Sequence, residues 1–249
     1  MGIYEKYFGR FGSKMKYKIP DNFMGIPIEG AMEKALSNPN SNKIIIPNNI
    51  QPQNKDNFIY VPSINLYVAK EKILFNHDWY KTHEELEKLN LRMYTPAEEK
   101  AFLDYLFKNE QTGTPDASKQ DIEKILDEML TQRDPWIAEC LDAYFEEKDD
   151  GMYILTKNKS QSEKLEPYVM KDCYVTLSSF NNQGFPTGKS GVQKYKKGVN
   201  IYFCHPRNGA VARFVADSDR AYLYCSRDPT YSSASLGVRP CAEGTALKN

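Results

Sequence analysis

The chain has 249 residues, of which 41% are hydrophobic, and this length and composition allow a domain with a sizeable core. Its 33 basic and 33 acidic residues give a formal net charge of zero, so a broad electrostatic attraction to nucleic acid is not expected. The sequence has no apolar run of about 18 residues, so no membrane-spanning helix is expected. Residues 1–20 also lack the apolar core of a secretory signal. We therefore expect synthesis in the cytoplasm and leave open a final location at a cell surface, on a virion or at neither.

Residues 1–56 are predicted to form an N-terminal extension or connector, ahead of one domain over 57–249. Within the first part, "IEGAMEKAL" (28–36) fits a short helix. The stretch after it is rich in Asn, Pro and Gln, which favour turns and loops, and it contains one short strand candidate, "KIII" (43–46).

A strand pair and three helices are predicted next. The segment "NFIYVPSINLYVAKEK" (57–72) is rich in β-branched and aromatic residues, and Pro62 marks a break between two strands. Apolar residues near helical spacing then predict amphipathic helices over 78–90, 95–109 and 118–132.

Each predicted helix begins with a residue that can cap its N-terminus. Asp78 precedes the first helix, Thr95 the second and Ser118 the third. Pro96 occupies the first helical position of the second helix, and Glu98 completes a capping box with Thr95.

After the helices the hydrophobic period changes to that of strands. Residues 136–158 predict a hairpin that turns at residues 149–151. A helical part followed by a strand-rich part is typical of an α+β domain rather than a parallel α/β domain. Further short strands are predicted at 199–204, 211–216, 221–225 and 236–240.

The residue types that build metal and catalytic sites show no recognisable arrangement. The five cysteines include no C-x-x-C pair, and reduced, buried thiols are their expected state. The three histidines lack ligand spacing, and we expect His77 and His83 to cap or flank a helix. No Ser-His-Asp grouping or phosphate-binding glycine loop occurs, so we expect no cofactor, no metal and no enzymatic activity.

The C-terminal stretch contains two classes of position, because alternation on strands sends one class inward and the other to solvent. Within the inward class, Arg213 and Arg239 are expected to brace loops through hydrogen bonds to carbonyls or carboxylates. We call the inward class the framework set: Ala212, Arg213, Phe214, Ala216, Ser218, Arg220, Ala221, Leu223, Cys225, Arg227, Pro229, Leu236, Gly237, Val238 and Arg239. The outward class, called the alternating set, falls mostly at every second position: Val215, Asp217, Asp219, Tyr222, Tyr224, Ser226, Asp228, Tyr231, Ser233 and Ser235.

The segment "ARFVADSDRAYLYCSRDPTYSSASLGVRP" resembles the variable region of the target proteins of diversity-generating retroelements. These systems rewrite one end of a gene from a template copy, with errors at adenines. Upstream, "YVPSINLYVAKEKIL", "DWYKTHEELEKLNLRM", "TPAEEKAFLDYL" and "AECLDAYF" are similar to the body of archaeal and archaeal-virus members. The resemblance covers residues 57–243 and leaves residues 1–56 without a counterpart.

The resemblance predicts which amino acids can occur at varied positions, and the residues of the alternating set agree with that prediction. Asn codons mutated at adenine reach Tyr, Ser, Asp and Val, among others, but never Lys, Glu, Gln, Met or Trp. Every member of the alternating set is reachable, and none of the five unreachable types occurs between Lys197 and Glu243. The pattern supports the resemblance, and the low β-propensity of Lys and Glu also contributes to their absence from a strand-rich segment.

The resemblance implies an α+β protein with a C-type lectin fold, in the branch that contains formylglycine-generating enzymes, built from two to three helices and short antiparallel strands. It places the variable region at about 211–239 and implies ligand binding without chemistry. The ligand would be a protein or surface ligand particular to this variant, bound to a chain that can act as a monomer. The alternating set would be the binding residues, with Tyr222, Tyr224 and Tyr231 as anchors. Its aspartates would favour a basic partner, and its serines would supply hydrogen bonds.

Two other functions remain open at this stage. A copper oxidase of the formylglycine-generating type would use Cys225 and Cys241 as soft-metal ligands. An invariant viral structural or adhesion protein would share the fold but not the diversification. Calcium-dependent sugar binding is not expected, because the Glu-Pro-Asn and Trp-Asn-Asp types of cluster are missing.

Overall fold

The structure is a computed structural model that describes residues 22–23, 26–27, 55–157 and 162–244. The chain divides into two units, Met1–Ile45 and Ile46–Asn249. In the first unit, β1 (Asn22–Phe23) pairs antiparallel with β2 (Ile26–Pro27). The helix predicted at 28–36 and the strand predicted at 43–46 lie outside the described residues.

The described part of the second unit contains three α-helices, and all three begin at the predicted caps. The helices are α1 (Trp79–Lys88), α2 (Pro96–Asn109) and α3 (Lys119–Leu130). The Asp78 carboxylate accepts a hydrogen bond from the backbone N–H of Lys81 at 2.7 Å. Thr95 and Glu98 form the predicted capping box, and Ser118 forms a second one with Asp121. These side chains satisfy N–H groups that the first helical turn leaves unpaired.

The larger sheet has eight strands, in the order β8-β7-β6-β11-β12-β10-β9, with β13 also paired to β6. The predicted hairpin of β6 and β7 is confirmed. Most pairs are antiparallel as expected, but β10 runs parallel to β12 and β13 runs parallel to β6. The strands are β6 (Ile137–Lys148), β7 (Gly151–Leu155), β8 (Glu163–Lys164), β9 (Cys173–Thr176), β10 (Asn200–Cys204), β11 (Val211–Ala216), β12 (Ala221–Arg227) and β13 (Leu236–Gly237).

The smaller sheet has four strands, in the order β3-β4-β14-β5. A 3₁₀ turn over Pro62–Ile64 separates β3 from β4, as the proline predicted. The predicted strand at 236–240 is divided, because the chain leaves β6 after Gly237 and enters the smaller sheet at Pro240. The strands are β3 (Phe58–Val61), β4 (Leu66–Ala69), β5 (Arg92–Met93) and β14 (Pro240–Glu243).

Two clusters of buried side chains form the core. The first includes Leu106 of α2, Ile122 of α3 and Phe214 of β11. The second includes Val215 and Leu236. The predicted α+β class is therefore confirmed. None of the helices in the described ranges has the length and apolar character needed to cross a bilayer.

Arg239 is a buried residue that connects the larger sheet to the smaller sheet through hydrogen bonds. It is fully buried, and its Nε donates to Glu139 of β6 at 3.1 Å. Its Nη1 donates to the carbonyl oxygens of Ala69, at 3.2 Å, and Lys70, at the end of β4. Glu128 of α3 lies 3.5 Å from Nη2. Arg239 therefore braces a loop through carbonyls and carboxylates as predicted.

Candidate functional site

Strand β12 separates the two predicted classes of side chain. Ala221, Leu223 and Cys225 are at most 2% exposed and belong to the first core cluster. Tyr222 and Tyr224 lie on the opposite side of the sheet, half-buried and packed against the second cluster. Ser226 is half-buried at the next outward position. The predicted assignment of the two classes to opposite faces is confirmed along this strand, but the outward class is half-buried rather than fully exposed to solvent.

Strand β11 departs from the prediction, because all six of its residues are buried. Val215 pairs with Tyr222 and so lies on the same sheet face, but it is only 1% exposed. It packs in the second core cluster with Ala138 and Leu236. The expectation that Val215 faces solvent is wrong, since β11 is a central strand with buried side chains on both faces.

The loop between β12 and β13, residues 228–235, is held by backbone hydrogen bonds. The N–H of Trp79 donates to the Pro229 carbonyl at 3.0 Å, and the N–H of Asn76 donates to the Ser233 carbonyl at 3.0 Å. The N–H of Ala138 donates to the Ser235 carbonyl at 2.8 Å. These contacts fix the loop that carries Tyr231, so its position does not depend on a bound ligand.

The aspartates of the alternating set form turns. Asp217 accepts from the N–H groups of Asp219, at 2.8 Å, and Arg220, at 3.0 Å. Asp228 accepts from the backbone and hydroxyl of Thr230, both at 2.8 Å, and these bonds lower its pKa. Asp219 itself is exposed. Asp217 and Asp228 therefore shape the loops as well as carry charge.

Three serines of the C-terminal stretch, one of the framework set and two of the alternating set, differ from their predicted exposure. Ser218 was expected inside but is exposed at the turn between β11 and β12. The serines of the alternating set at 233 and 235 are half-buried, and the Ser233 hydroxyl accepts from the Ser235 N–H at 3.2 Å. These two serines stabilise their own loop.

Two of the three predicted anchor tyrosines, Tyr224 and Tyr231, lie against Arg213 together with Trp136. The Arg213 guanidinium carbon lies 4.9 Å from the ring centroid of Tyr224, 5.7 Å from that of Tyr231 and 5.4 Å from that of Trp136. The rings of Tyr222 and Tyr224 meet edge to face, with centroids 5.9 Å apart. The result is an aromatic enclosure around one cation.

Arg213 does not brace a loop, so this part of the sequence prediction is wrong. Its Nε and Nη1 atoms are buried and donate to no hydrogen-bond partner within the described residues. Burial, and after it the nearby charge of Arg227, lowers the pKa of Arg213. The guanidinium is stabilised by aromatic ring faces, and not by the carbonyls or carboxylates that the sequence predicted.

Two further arginines lie against tyrosine rings at the edges of this region. The Arg227 guanidinium is 3.3 Å from the Tyr231 ring centroid, and that of Arg220 is 4.0 Å from the Tyr202 ring. We define the tail face by the residues Tyr202, Arg213, Arg220, Tyr222, Tyr224, Arg227 and Tyr231.

Sequence reasoning missed the arginines of the tail face and Tyr202 as functional candidates. Arg213 stands two residues before Val215, so strict alternation would have placed both on one face. Tyr202 lies on β10, which pairs directly with β12, with Tyr202 opposite Tyr222. That pairing joins strands that are not consecutive in the chain, so no local signal in the sequence predicts it.

The two cysteines considered for copper lie in the core. Cys225 is on β12 of the larger sheet and Cys241 on β14 of the smaller one, and both are fully buried. Burial raises the pKa of both thiols well above the usual range, which disfavours the thiolate that a metal needs. Within the ranges that the structure describes, no group of three or more His, Cys, Asp or Glu residues is placed to hold a metal ion.

A cleft of about 780 Å³ lies away from the tail face. Its charged lining is largely paired: Glu98 contacts Arg92 at 2.7 Å, and Glu166 accepts from the N–H of Asn182 at 3.0 Å. None of the residues that define the tail face lines this cleft.

Comparisons of the chain with protein-family models, with curated proteins and with solved structures found no match. The geometry of the tail face and the sequence pattern of the C-terminal stretch therefore indicate the function of this chain.

Proposed function

We propose that this chain is a ligand-binding protein that displays a diversified surface on a C-type lectin fold, as a target protein of a diversity-generating retroelement. The observation that carries the proposal is the separation along β12. Tyr222 and Tyr224 lie on one face, while Leu223 and Cys225 lie in the core behind them. A surface of this kind can change its outward residues without changing its support.

The chemistry of the tail face fits binding rather than catalysis. Tyrosine rings supply broad, rigid contact area at little cost in side-chain entropy, and neighbouring Ser and Asp groups supply hydrogen bonds. The hydrogen-bonded loop 228–235 presents these groups in a fixed arrangement, which lowers the entropy lost on binding.

The fold supports the proposal at a coarser level. A strand pair, three helices and then a series of short strands follow one another in the order that the resemblance implies. The copper oxidase alternative gains no support, because both candidate thiols are buried and their pKa values are raised. An invariant adhesion protein would use the same face, so the two remaining possibilities differ in genetics and not in geometry.

The diversification is tested in the DNA that surrounds the gene. We expect a near-identical repeat of the coding 3′ end that differs at adenines and lies beside a reverse transcriptase gene. A 3′ end without such a repeat in the neighbouring DNA would leave an invariant binding protein.

The binding role is tested by selecting displayed random peptides on the immobilised full-length chain and measuring the best binders by calorimetry. Tyr222→Ala should weaken binding by about thirtyfold, corresponding to about 2 kcal/mol. Tyr153→Ala is the matched control, because Tyr153 is a half-buried strand tyrosine on β7 of the same sheet. Peptides that bind both variants as well as the wild-type chain would contradict a binding role for the tail face.

A further inference from the structure

The centre of the tail face holds a positive charge without a counter-ion. Arg213 is 7% exposed, and no ion pair within the described residues involves Arg213, Arg220 or Arg227. Buried charges in proteins are normally paired and hydrogen-bonded, because desolvation of an isolated charge is costly. Ring faces compensate only part of that cost, since they accept no conventional hydrogen bond.

The carboxylates nearest in sequence do not fill this position. Asp217 is engaged with backbone N–H groups of its own turn, and Asp228 with Thr230. The tail-face arginines, by contrast, carry unpaired N–H groups: the Nε atoms of Arg213, Arg220 and Arg227 are buried without a partner in the described part of the chain, as is Nη1 of Arg213. No carboxylate of the described residues is therefore paired with Arg213 or Arg227.

The Tyr231 ring lies close to both of the guanidiniums, Arg213 and Arg227. Its ring centroid is 3.3 Å from the Arg227 carbon and 5.7 Å from the Arg213 carbon. A guanidinium N–H donates a strong, charge-assisted hydrogen bond to a carboxylate oxygen. The unpaired N–H groups of Arg213 and Arg227 can each donate such a bond.

We propose that the tail face binds an acidic side chain of a partner protein, whose Asp or Glu carboxylate pairs with Arg213 and Arg227. This inference rests on the binding role proposed above and names the chemistry of the ligand. It replaces the expectation of a basic partner that followed from the aspartates alone.

A protein carboxylate fits this face better than a polyanion does. The face carries Asp217, Asp219 and Asp228 near its arginines, and the whole chain has no net charge. A nucleic acid would bring many phosphates against those carboxylates. A single acidic residue within an otherwise apolar or neutral contact meets the arginines and lets the tyrosines pack around it.

The test uses the peptides selected on the full-length wild-type chain. We expect an acidic residue to recur at one position of the selected peptides. Synthetic peptides with that Glu or Asp, and with Gln or Asn in its place, are then titrated against the wild-type chain, Arg213→Met and Arg227→Met. On the wild-type chain the amide peptide should bind at least tenfold more weakly, and on Arg213→Met the two peptides should bind alike.

Lys148→Met is the matched control for loss of a cation. Lys148 lies 4.1 Å from the Tyr153 ring on the same sheet, but its ammonium has partners in Glu146 and Ser162. Its replacement should leave the difference between the two peptides unchanged. Circular dichroism of each variant confirms that a loss of binding is not a loss of fold.

The outcomes separate this inference from the binding role beneath it. Peptides that require Tyr222 but lack a recurrent acidic residue would overturn the carboxylate and keep the binding face. An acid-to-amide penalty of equal size on Arg213→Met would also overturn it. Tight binding of a single-stranded oligonucleotide that depends on Arg213 would replace it with a polyanion. Selection of no peptide, or of peptides indifferent to Tyr222→Ala, would overturn both proposals.

Discussion

Substitution by methionine should affect the two buried arginines of the C-terminal stretch, Arg213 and Arg239, very differently. Arg239→Met leaves the Glu139 carboxylate, which is 1% exposed, without its guanidinium and frees two backbone carbonyls. Loss of one partner of a buried ion pair costs about 3–5 kcal/mol of the free energy of unfolding. We therefore expect Arg239→Met to remove a large part of the stability of the domain.

Arg213→Met leaves no buried anion behind. It removes contacts with three rings, worth about 0.5–1 kcal/mol each. It also removes two buried N–H groups without partners, which cost about 1–3 kcal/mol each. The free energy of unfolding of Arg213→Met should therefore lie between slightly below and clearly above that of the wild-type chain. The methionine also retains an apolar stem among the rings, which limits the loss of packing.

Urea unfolding followed by circular dichroism and tryptophan fluorescence measures both variants under the same conditions. The urea concentrations at the unfolding midpoint are compared only between variants whose free energy of unfolding depends on urea concentration with the same slope. A change in compactness is then not mistaken for a change in stability. A loss of 3 kcal/mol or more for Arg213→Met, as roughly expected for Arg239→Met, would show that Arg213 is a structural brace. That result would refute the reasoning that its charge is held for a ligand.

Other substitutions test the core and its ionisation. Val215→Ala should lower the free energy of unfolding by about 2 kcal/mol, because it removes buried methyl groups. Asp219→Ala should change the free energy of unfolding by less than about 0.5 kcal/mol. Equal effects of the two substitutions in urea unfolding would contradict the burial of Val215. Burial, and after it the charge of Glu139, raises the pKa of Glu99 well above its usual range, so the folded chain keeps a proton that the unfolded chain releases. Stability should therefore fall as pH rises above the unfolded pKa, by up to about 1.4 kcal/mol per pH unit, and Glu99→Gln should flatten that fall in urea midpoints taken at several pH values. Alanine at Gly184 would place its Cβ 2.2 Å from the backbone of Pro96 and Ala97 at a φ of +82°, so Gly184→Ala should lower the thermal midpoint by several degrees.

Local signals in the sequence predicted the helices well. Each helix begins at its predicted cap, because a cap, a proline and an apolar stripe act within a few residues of one another. The hairpin of β6 and β7 follows from its turn residues for the same reason.

The surface was predicted less well, because alternation assigns a side chain to a face but not to solvent. Val215 lies on the expected face and is nevertheless buried. The aromatic enclosure depends on Trp136 and Tyr231, which approach Arg213 from other parts of the chain. Only the assembled sheet reveals that an arginine assigned to the framework lies among the proposed anchors.

The last strand, β14, lies between β4 and β5, downstream of every residue that we propose to vary. If residues 211–239 are diversified as proposed, a frameshift there would also remove β14 and Arg239. The shortened chain would lack a strand between β4 and β5 and the buried partner of Glu139, so we expect it to fold less stably than the full-length chain.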